Sequence, residues 1–333
     1  MSPPWTVLAL PPLGLEVLQM LFADVPADLI VPAARTPEAA HEAAAGADIV
    51  LGDWTATLRV TPELVAAAPN LAFIQQPSAG VDAIDLDACS RADIPVANAG
   101  SANAVSVAEW CLAATFAVLR SLAYGDREVR AGSWPQLELA GRGGGELSGR
   151  RVGIVGMGRI GRECATRYAA LGCDVAYWSR SRRTSDADCG GARWLELDDL
   201  LRHSDVLVVV IALGDASRGL LGPERLALLP PGAYLINAAR GGIVDEAALV
   251  AAITSGALAG AALDVYDVEP LPDGSPLRED DRILLSPHAA GATRQAQTRL
   301  IEGIVANINR AVTGVPVIDV VNGIDPAIRR RAN

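Results

Sequence analysis

The sequence predicts an α/β protein with two parallel sheets, each covered by helices on both faces. Its 333 residues suffice for two ordinary domains, and half of them are hydrophobic. Short apolar runs alternate with Ala-rich helical stretches, which is typical of parallel sheets. The apolar run at residues 152–155 leads directly into Gly156, Gly158 and Gly161, the strand-turn-helix order of a doubly wound sheet.

Alternating runs in the first hundred residues predict one α/β domain. The predicted strands are residues 6–10, 29–31, 48–51, 71–75 and 94–97, and the predicted helices are 15–22, 37–45, 62–68 and 86–92. Residues 104–122 then form a long apolar stretch with few charges, which predicts a helix buried on most sides at a domain junction or subunit interface. The Gly-rich residues 132–145 predict an irregular, flexible arm.

A second α/β run begins at Arg151. Its predicted strands are residues 152–155, 175–178, 205–211, 233–237, 259–264 and 283–286, and its predicted helices are 159–171, 197–203 and 245–255. A final helix, 293–312, and an extended tail, 315–321, come after the last of these strands. We therefore expect the end of the chain to return and pack on the first domain.

Composition excludes several function classes. The formal net charge is −11, from 28 Lys plus Arg against 39 Asp plus Glu, which argues against nucleic-acid and anionic-membrane binding. Every basic residue is Arg, so mechanisms that need a Schiff-base or Walker lysine drop out. Five cysteines without C-x-x-C spacing and only three histidines predict no metal site. Without a signal pattern or a membrane-length apolar run, we expect a soluble cytoplasmic protein.

The glycine turn predicts a dinucleotide site. Gly156 permits a tight turn, Gly158 lets the backbone approach a pyrophosphate, and Gly161 lets helix and strand pack closely. Backbone N–H groups at the start of the helix, at Arg159 and Ile160, face the phosphates together with the positive end of the helix dipole.

Three successive predicted strands end in groups that can do chemistry. Arg240, Glu269 and His288 follow the strands at 233–237, 259–264 and 283–286. Because ligands in open α/β sheets bind outside the carboxyl ends of the strands, these side chains are expected in one crevice. Singly, each is as consistent with a surface ion pair, a solvated carboxylate or a structural histidine, and only their conjunction indicates a site.

Over nearly its whole length the chain resembles the D-2-hydroxyacid dehydrogenases. The resemblance is carried by six motifs: Ser78-Ala-Gly-Val-Asp82, Val107-Ala-Glu109, Gly156-x-Gly-x-x-Gly161, Ala238-Ala-Arg-Gly-Gly-Ile-Val-Asp245, Ala262-Leu-Asp-Val-Tyr-x-x-Glu-Pro270 and Ser286-Pro-His-x-x-Gly291. It implies a smaller flavodoxin-like substrate domain from residues 1–102 and 292–333, and a Rossmann-type cofactor domain from residues 103–291. It also implies a homodimer through the 104–122 helix.

The resemblance also implies catalytic roles. His288 matches the family's acid/base, Glu269 its carboxylate partner, and Arg240 its substrate-binding arginine. Reduction of a 2-oxo acid needs a hydride at the carbonyl carbon and a proton at its oxygen, and a carboxylate beside an imidazole stabilises the protonated donor. Arg240 can pair with the substrate carboxylate and polarise the carbonyl.

Other positions match binding residues of the family, with alternatives open. Ala79 and Gly80 match backbone that receives the substrate carboxylate, or form an ordinary turn. Asp264 matches the group that binds the nicotinamide carboxamide, or caps its strand, and Ala238 is assigned to the cofactor site with Arg240 and His288. Trp54 follows a predicted strand and is expected near the third carbon of the substrate, where its bulk would favour small acids. Core packing or a dimer contact is equally open for it.

The end of the second strand of the cofactor domain predicts the coenzyme. An NAD-preferring fold carries an acid about 20 residues past the glycine motif, to bind the ribose 2′-OH. Here that position reads Ser179, Arg180, Ser181, Arg182 and Arg183. Arg180 can bind a 2′-phosphate with Ser179 and Ser181 as donors, which predicts NADP(H) over NAD(H). A solvated basic turn is the alternative, above all for Arg182 and Arg183.

The leading interpretation is an NADPH-dependent reductase of a small 2-oxo acid, glyoxylate or hydroxypyruvate, that forms the D-2-hydroxy acid. An NAD-linked D-3-phosphoglycerate-type dehydrogenase is an alternative, although its phosphate would need basic residues near the first-domain loops, where Arg59 is the nearby candidate. A nucleotide-sensing interaction protein, like the transcriptional corepressors that resemble this family, is a third hypothesis.

Overall fold

The chain folds into two compact units. The computed structural model describes residues 4–100, 102–142, 144–182 and 189–331. Unit 1 comprises Met1–Asn103 with Arg294–Asn333, and unit 2 comprises Ala104–Thr293. The divisions lie within two residues of the expected domain boundaries, so the first unit is built from both ends of the chain.

Unit 1 contains a five-stranded parallel sheet in the order 2-1-3-4-5, which is the flavodoxin-like order. Its strands are β1 (Trp5–Ala9), β2 (Ala27–Ile30), β3 (Ile49–Leu51), β4 (Phe73–Gln75) and β5 (Val96–Ala97). Its helices are α1 (Leu15–Leu21), α2 (Pro37–Ala44), α3 (Pro62–Ala67), α4 (Leu86–Arg91) and α12 (Arg294–Val312). Side-chain caps from Thr36, Thr61 and Asp85 start α2, α3 and α4.

The C-terminal segment is bonded into unit 1 over long sequence separations. Asn307 on α12 donates to the Gln75 side chain of β4 at 2.6 Å, and both residues are buried. Further along the chain, Val320 forms an antiparallel bridge to Ala97. Near the end, Arg330 pairs with the buried carboxylate of Asp48 at 2.7 Å. These contacts give the returning tail a fixed place on the five-stranded sheet.

Unit 2 contains a seven-stranded parallel sheet in the order β12-β11-β10-β9-β6-β7-β8. Its strands are β6 (Arg151–Val155), β7 (Asp174–Trp178), β8 (Arg193–Trp194), β9 (Val206–Val209), β10 (Ala233–Asn237), β11 (Leu258–Leu263) and β12 (Ile283–Leu285). The order reverses between β6 and β9, which is the topological switch point of the doubly wound Rossmann arrangement. The predicted fold class is confirmed.

The helices of unit 2 differ from the prediction between residues 104 and 141 and again at Pro223–Leu226. They are α5 (Ala104–Leu119), α6 (Leu122–Arg130), α7 (Gln136–Gly141), α8 (Arg159–Ala170), α9 (Leu197–His203), α10 (Pro223–Leu226) and α11 (Glu246–Thr254). The single helix predicted at residues 104–122 was wrong, because Ser121 takes a left-handed φ of 48° and the chain restarts as α6. The arm predicted as irregular carries α7. Neither β8, of two residues, nor α10, of four, was predicted.

Burial of α5 explains its apolar composition. Eight of its residues are buried, and it packs against α8 and the β10–β11 part of the sheet within unit 2. Among the described residues no single helix is long and apolar enough to cross a membrane, and α5 with α6 passes such a test only as a pair bent by 63°.

Candidate active site

The glycine turn has the geometry of a phosphate cradle. Gly156 has φ +107°, and a Cβ there would lie 2.8 Å from the backbone of Ile211 beyond β9. At Gly161 a Cβ would overlap the carbonyl oxygen of Gly156. Around Gly158, in contrast, a Cβ would meet nothing within 4 Å. Two glycines are therefore required by close packing, while the third leaves open space at the switch point, where a pyrophosphate fits.

Helix α8 points its N-terminus into that space. Gly158 is its N-cap, and the first helical hydrogen bond runs from Arg162 N to Gly158 O at 3.1 Å. The N–H groups of Arg159, Ile160 and Gly161 precede that bond, so they have no acceptor within the helix. The positive end of the helix dipole at this first turn favours an anion.

The end of β7 lies beside the glycine turn. Trp178 O accepts the N–H of Gly156 at 2.8 Å, and Ser179 Oγ donates to Ser181 O at 2.8 Å. Arg180 and Ser181 are exposed next to it. Arg182, also exposed, lies 6.0 Å from the ring centre of Trp194. The predicted residue Arg183 lies outside the described residues.

The structure brings His288 and Glu269 into direct contact. His288 Nδ1 lies 2.7 Å from Glu269 Oε2, and the other carboxylate oxygen accepts the N–H of Tyr266 at 3.0 Å. Since Nδ1 is taken by the carboxylate, Nε2 is the ring nitrogen left for a substrate. The pair borders a cavity of about 540 Å³ whose walls include Pro270, Leu271 and Pro287.

Asp264 holds the loop that carries His288, whose own φ is +52°. Asp264 is 2% exposed, and one oxygen accepts the Ser286 hydroxyl and the Ala289 N–H, the latter at 2.8 Å. Its other oxygen accepts the Ala290 N–H at 2.8 Å. Three of roughly four acceptor positions on the carboxylate are therefore used within the loop. These contacts match the strand-capping alternative, and a bond to nicotinamide stays a prediction.

Arg240 follows β10, the strand next to β11. Its Nη1 donates to Ala239 O at 2.7 Å. Buried Asn237 holds the turn, because its Oδ1 accepts Ala239 N at 3.1 Å and its Nδ2 donates to Arg240 O at 3.5 Å. The neighbouring Ala238 donates its N–H to Val209 O at 3.2 Å, at the end of β9. Arg240, Glu269 and His288 thus follow three adjacent strands, as predicted from their spacing.

In unit 1 the loop after β4 presents backbone N–H groups. The carbonyl oxygens of Ser78, Ala79 and Gly80 accept from Ala99 N at 3.0 Å, Asn98 Nδ2 at 2.7 Å and Ser78 Oγ at 2.7 Å, respectively. In a trans peptide the N–H points away from the C=O. The N–H groups of residues 79–81 are therefore held facing away from these donors.

Trp54 lies on a loop organised by buried Asp53 at the end of β3. The Asp53 carboxylate accepts from Thr55 N at 2.8 Å, Leu58 N at 3.1 Å and Arg35 Nη2 at 2.7 Å. Burial acts to raise the pKa of Asp53, but the hydrogen bonds from Thr55 and Leu58 outweigh it and the pKa is lowered. Trp54 itself is 44% exposed, so core packing does not explain it.

Motif spacing did not identify the residues whose side chains hold the loops of the site in place by hydrogen bonds. Asp53, Asn98, Asn237 and Asp264 form local or cross-strand hydrogen bonds, and only Asp264 was singled out, for another role. An Asn or Asp at a strand end or within two residues of it was the available signal, because these side chains bond to nearby backbone. Within the described ranges no group of three or more His, Cys, Asp or Glu could hold a metal.

Comparison with known proteins identifies the family. The family described as D-isomer specific 2-hydroxyacid dehydrogenase, NAD binding domain, matches residues 112–290. The chain is 37% identical over 271 residues to D-3-phosphoglycerate dehydrogenase of Archaeoglobus fulgidus, covering 81% of this chain and 51% of the relative. It thus spans about half the length of that relative.

Two further similarities cover most of both chains. Glyoxylate reductase of Aeropyrum pernix is 39% identical over 248 residues, which are 73% of this chain and 74% of the relative. The crystal structure of a glyoxylate reductase from Paecilomyes thermophila superposes with a TM-score of 0.86 at 26% identity, covering 96% of this chain and 99% of the other. With its glycine turn, its histidine–carboxylate pair and its two sheet orders, the chain belongs to the D-isomer specific 2-hydroxyacid dehydrogenases.

Proposed function

We propose that this chain reduces a small 2-oxo acid, glyoxylate or hydroxypyruvate, to the D-2-hydroxy acid, with NADPH as the preferred coenzyme. The observation that carries the proposal is the 2.7 Å contact between His288 Nδ1 and Glu269 Oε2, at strand ends of the sheet that also carries the glycine turn. A paired imidazole of this kind is a proton donor suited to a carbonyl oxygen.

The chemistry assigned to the chain's own residues is proton transfer and orientation. When bound, the reduced nicotinamide supplies the hydride that goes to C2 of the oxo acid. His288 Nε2 gives its proton to the carbonyl oxygen as the C=O double bond becomes a C–O single bond. Glu269 stabilises the imidazolium before transfer and orients the ring afterwards. Arg240 pairs with the substrate carboxylate, and the N–H groups held at residues 79–81 of unit 1 are by themselves suited to a carboxylate.

The chain's residues fit the coenzyme. The open space around Gly158 and the positive N-terminal end of α8 suit a pyrophosphate. Beyond β7, exposed Arg180 with Ser179 and Ser181 suits a ribose 2′-phosphate, because a guanidinium binds phosphate through charge-assisted hydrogen bonds. We assign unit 2 to the coenzyme and unit 1 to the substrate.

A screen of small 2-oxo acids with NADPH and with NADH, followed at the nicotinamide absorbance, tests this proposal. We expect glyoxylate and hydroxypyruvate to be reduced with higher kcat/KM than phenylpyruvate, since Trp54 is assigned to limit the pocket. Faster reduction of phenylpyruvate would contradict the assignment of Trp54. No reduction of any acid by folded protein would contradict the proposed activity and favour a nucleotide-sensing interaction protein.

A second candidate is oxidation of a phosphorylated 2-hydroxy acid, favoured by the phosphoglycerate dehydrogenase relatives. Arg59 supports it, because its Nη2 donates to Asp82 O at 2.6 Å and is thereby held at the end of the 78–82 loop. The screen separates the two if D-3-phosphoglycerate with NAD is added. An Arg59→Ala variant would lose phosphoglycerate oxidation while keeping glyoxylate reduction.

We further propose that the chain forms a homodimer through α5, in the cytoplasm. Phe116 is exposed on α5, on the side opposite the residues that α5 buries within unit 2. Light scattering at micromolar concentration should give twice the chain mass of 34.6 kDa. Phe116→Asp should shift the mass towards the monomer, whereas Met20→Asp, an equally apolar and more exposed site on α1, should leave it unchanged. A monomeric wild-type mass would contradict the dimer.

A further inference from the structure

We infer that Asp267 is a positioning residue, one that holds the Arg240 loop in its substrate-binding arrangement. The inference rests on the proposed function, in which Arg240 receives the substrate carboxylate. Asp267 Oδ1 accepts the backbone N–H of Gly242, two residues after Arg240. A carboxylate from the loop after β11 therefore fixes the loop after β10.

The two loops meet backbone to backbone. A Cβ at Gly241 would overlap the carbonyl oxygen of Tyr266 and lie 2.5 Å from Asp267 N. Gly242 has φ +74°, which an L side chain rarely adopts. Because Gly241 and Gly242 have no side chains, they cannot stabilise the Arg240 loop by side-chain contacts. The conformation of the loop therefore depends on contacts from neighbouring elements.

Asp267 is itself anchored to a helix. Its N–H donates to Glu246 Oε1 at 2.7 Å, and Glu246 is the first residue of α11. Burial raises the pKa of Glu246, and the neighbouring Asp267 carboxylate acts in the same direction. The helix is capped in turn by Asp245, which accepts Ala248 N at 2.9 Å. A continuous set of bonds thus runs from α11 through Glu246 and Asp267 to the Arg240 loop.

The position of Asp267 also links two functional groups. It stands two residues before Glu269, so one short segment carries the partner of His288 and the brace of Arg240. On its other side the Arg240 loop is held by Asn237 Nδ2, at 3.5 Å from Arg240 O. Loss of the Asp267 contact would release the N–H of Gly242, whose carbonyl oxygen accepts the Gly219 N–H at 2.6 Å, and a displaced guanidinium binds a carboxylate less well.

The test compares Asp267→Ala with Asp267→Asn, whose amide oxygen can still accept the Gly242 N–H. For Asp267→Ala we expect the KM for glyoxylate to rise about fivefold to tenfold, the loss typical of one intramolecular hydrogen bond. The kcat, its pH profile and the KM for NADPH should stay within about twofold of wild type, because the His288–Glu269 pair and the glycine turn are separate. Asp267→Asn should restore most of the affinity.

Two further variants complete the design. Asp273→Ala removes a fully exposed carboxylate from the same segment and should change nothing. Glu246→Ala removes the anchor of Asp267 and should raise the glyoxylate KM in the same direction by a smaller factor, which keeps the inference testable should Asp267→Ala fail to fold. A binding assay independent of turnover uses oxamate, an inert 2-oxo acid analogue, and its shift of the melting temperature in the presence of NADPH.

The results separate this inference from the proposed function. A glyoxylate KM in Asp267→Ala within twofold of wild type, or equal losses in the Ala and Asn variants, would overturn the role of Asp267. Wild-type protein that reduces no 2-oxo acid would overturn the proposed function instead. The oxamate shift would then still report whether Asp267 supports carboxylate binding, and an unchanged shift in Asp267→Ala would overturn the inference.

Discussion

The carboxyl edges of the two parallel sheets present different chemical groups. In unit 2, the strands β10 to β12 end in side chains that can react or carry charge, namely Arg240, Glu269 and His288. In unit 1, the loop after β4 presents backbone N–H groups, and the side chains of Asn98 and Ser78 only orient them. The same edge geometry thus presents ionisable side chains in one unit and backbone N–H groups in the other.

The two edges are held in a similar way, by buried acids and amides directly after a strand. Asp264 follows β11 and collects three bonds from the His288 loop, while Asp53 follows β3 closely and collects bonds from the Trp54 loop. The comparison therefore predicts a large loss of activity where a side chain assigned to the reaction is removed. Removal of a side chain that only holds a loop in place should have a moderate effect.

Removal of the proton donor should have the largest effect. His288→Asn should reduce kcat by about 10² to 10⁴, the usual span for a positioned general acid, and leave the Kd for NADPH nearly unchanged. His41→Asn, on α2 of unit 1, is the matched control and should behave as wild type. Turnover of His288→Asn within about twofold of wild type would remove this histidine from the mechanism.

Reversal of the coenzyme preference should be the second-largest effect. Ser179→Asp combined with Arg180→Ala should reverse a tenfold to hundredfold preference for NADPH, measured as the ratio of kcat/KM values. Each charge-assisted bond to the 2′-phosphate contributes about 1.5 to 3 kcal/mol, and the new acid repels it. Arg202→Ala, an exposed arginine on α9, should leave the ratio unchanged. Equal use of NADH and NADPH by wild type would contradict the assignment of Arg180.

Release of the backbone N–H groups in unit 1 should have a moderate effect. Asn98→Ala removes the donor that holds Ala79 O at 2.7 Å, so the KM for glyoxylate should rise about tenfold with kcat less affected. Gln19→Ala on the exposed face of α1 serves as the control. A fall in kcat with an unchanged KM would show that this edge takes part in the chemistry, against the contrast drawn between the units.

Loss of the histidine's partner should change the pH dependence. Glu269→Gln keeps a similar shape but removes the charge that stabilises the imidazolium, so reduction should be lost at lower pH than in wild type. Initial rates from about pH 5 to 9 measure this. Coincident profiles for variant and wild type would show that Glu269 does not act through His288.

Loss of the Asp53 carboxylate, which holds the Trp54 loop in unit 1, should lower the free energy of unfolding by a small amount that depends on pH. The lowered pKa of Asp53 means that its ionised form is stabilised by folding. Its contribution is therefore complete above the unfolded pKa, about 3.9, and is lost as the pH falls through the folded value. Near neutrality Asp53→Asn should cost about 1.5 to 3 kcal/mol in urea unfolding, and the difference should shrink towards pH 3. Asp24→Asn is the exposed control. A difference that grows on acidification would contradict the assigned sign.

Much of the fold followed from local patterns. Apolar runs placed eleven of the twelve described strands within about two residues at both ends, and only the two-residue strand β8 was missed, because two residues carry no periodicity. The break between α5 and α6 was missed for a different reason. Nothing in the composition of residues 119–122 signals it, since none of them is the Gly or Asn that usually takes a left-handed φ.

By itself, the sequence determined the α/β class, the glycine turn, the strand ends that carry Arg240, Glu269 and His288, and the absence of an acid after β7. Each of these depends on residues close together in the chain, whose spacing is directly visible. Only the tertiary structure decided which groups hold the site. The bond from Asp267 to Gly242 joins residues 25 apart, and that from Arg330 to Asp48 joins residues 282 apart. Such contacts form because strands distant in sequence become neighbours in a sheet, and spacing along the chain does not encode them.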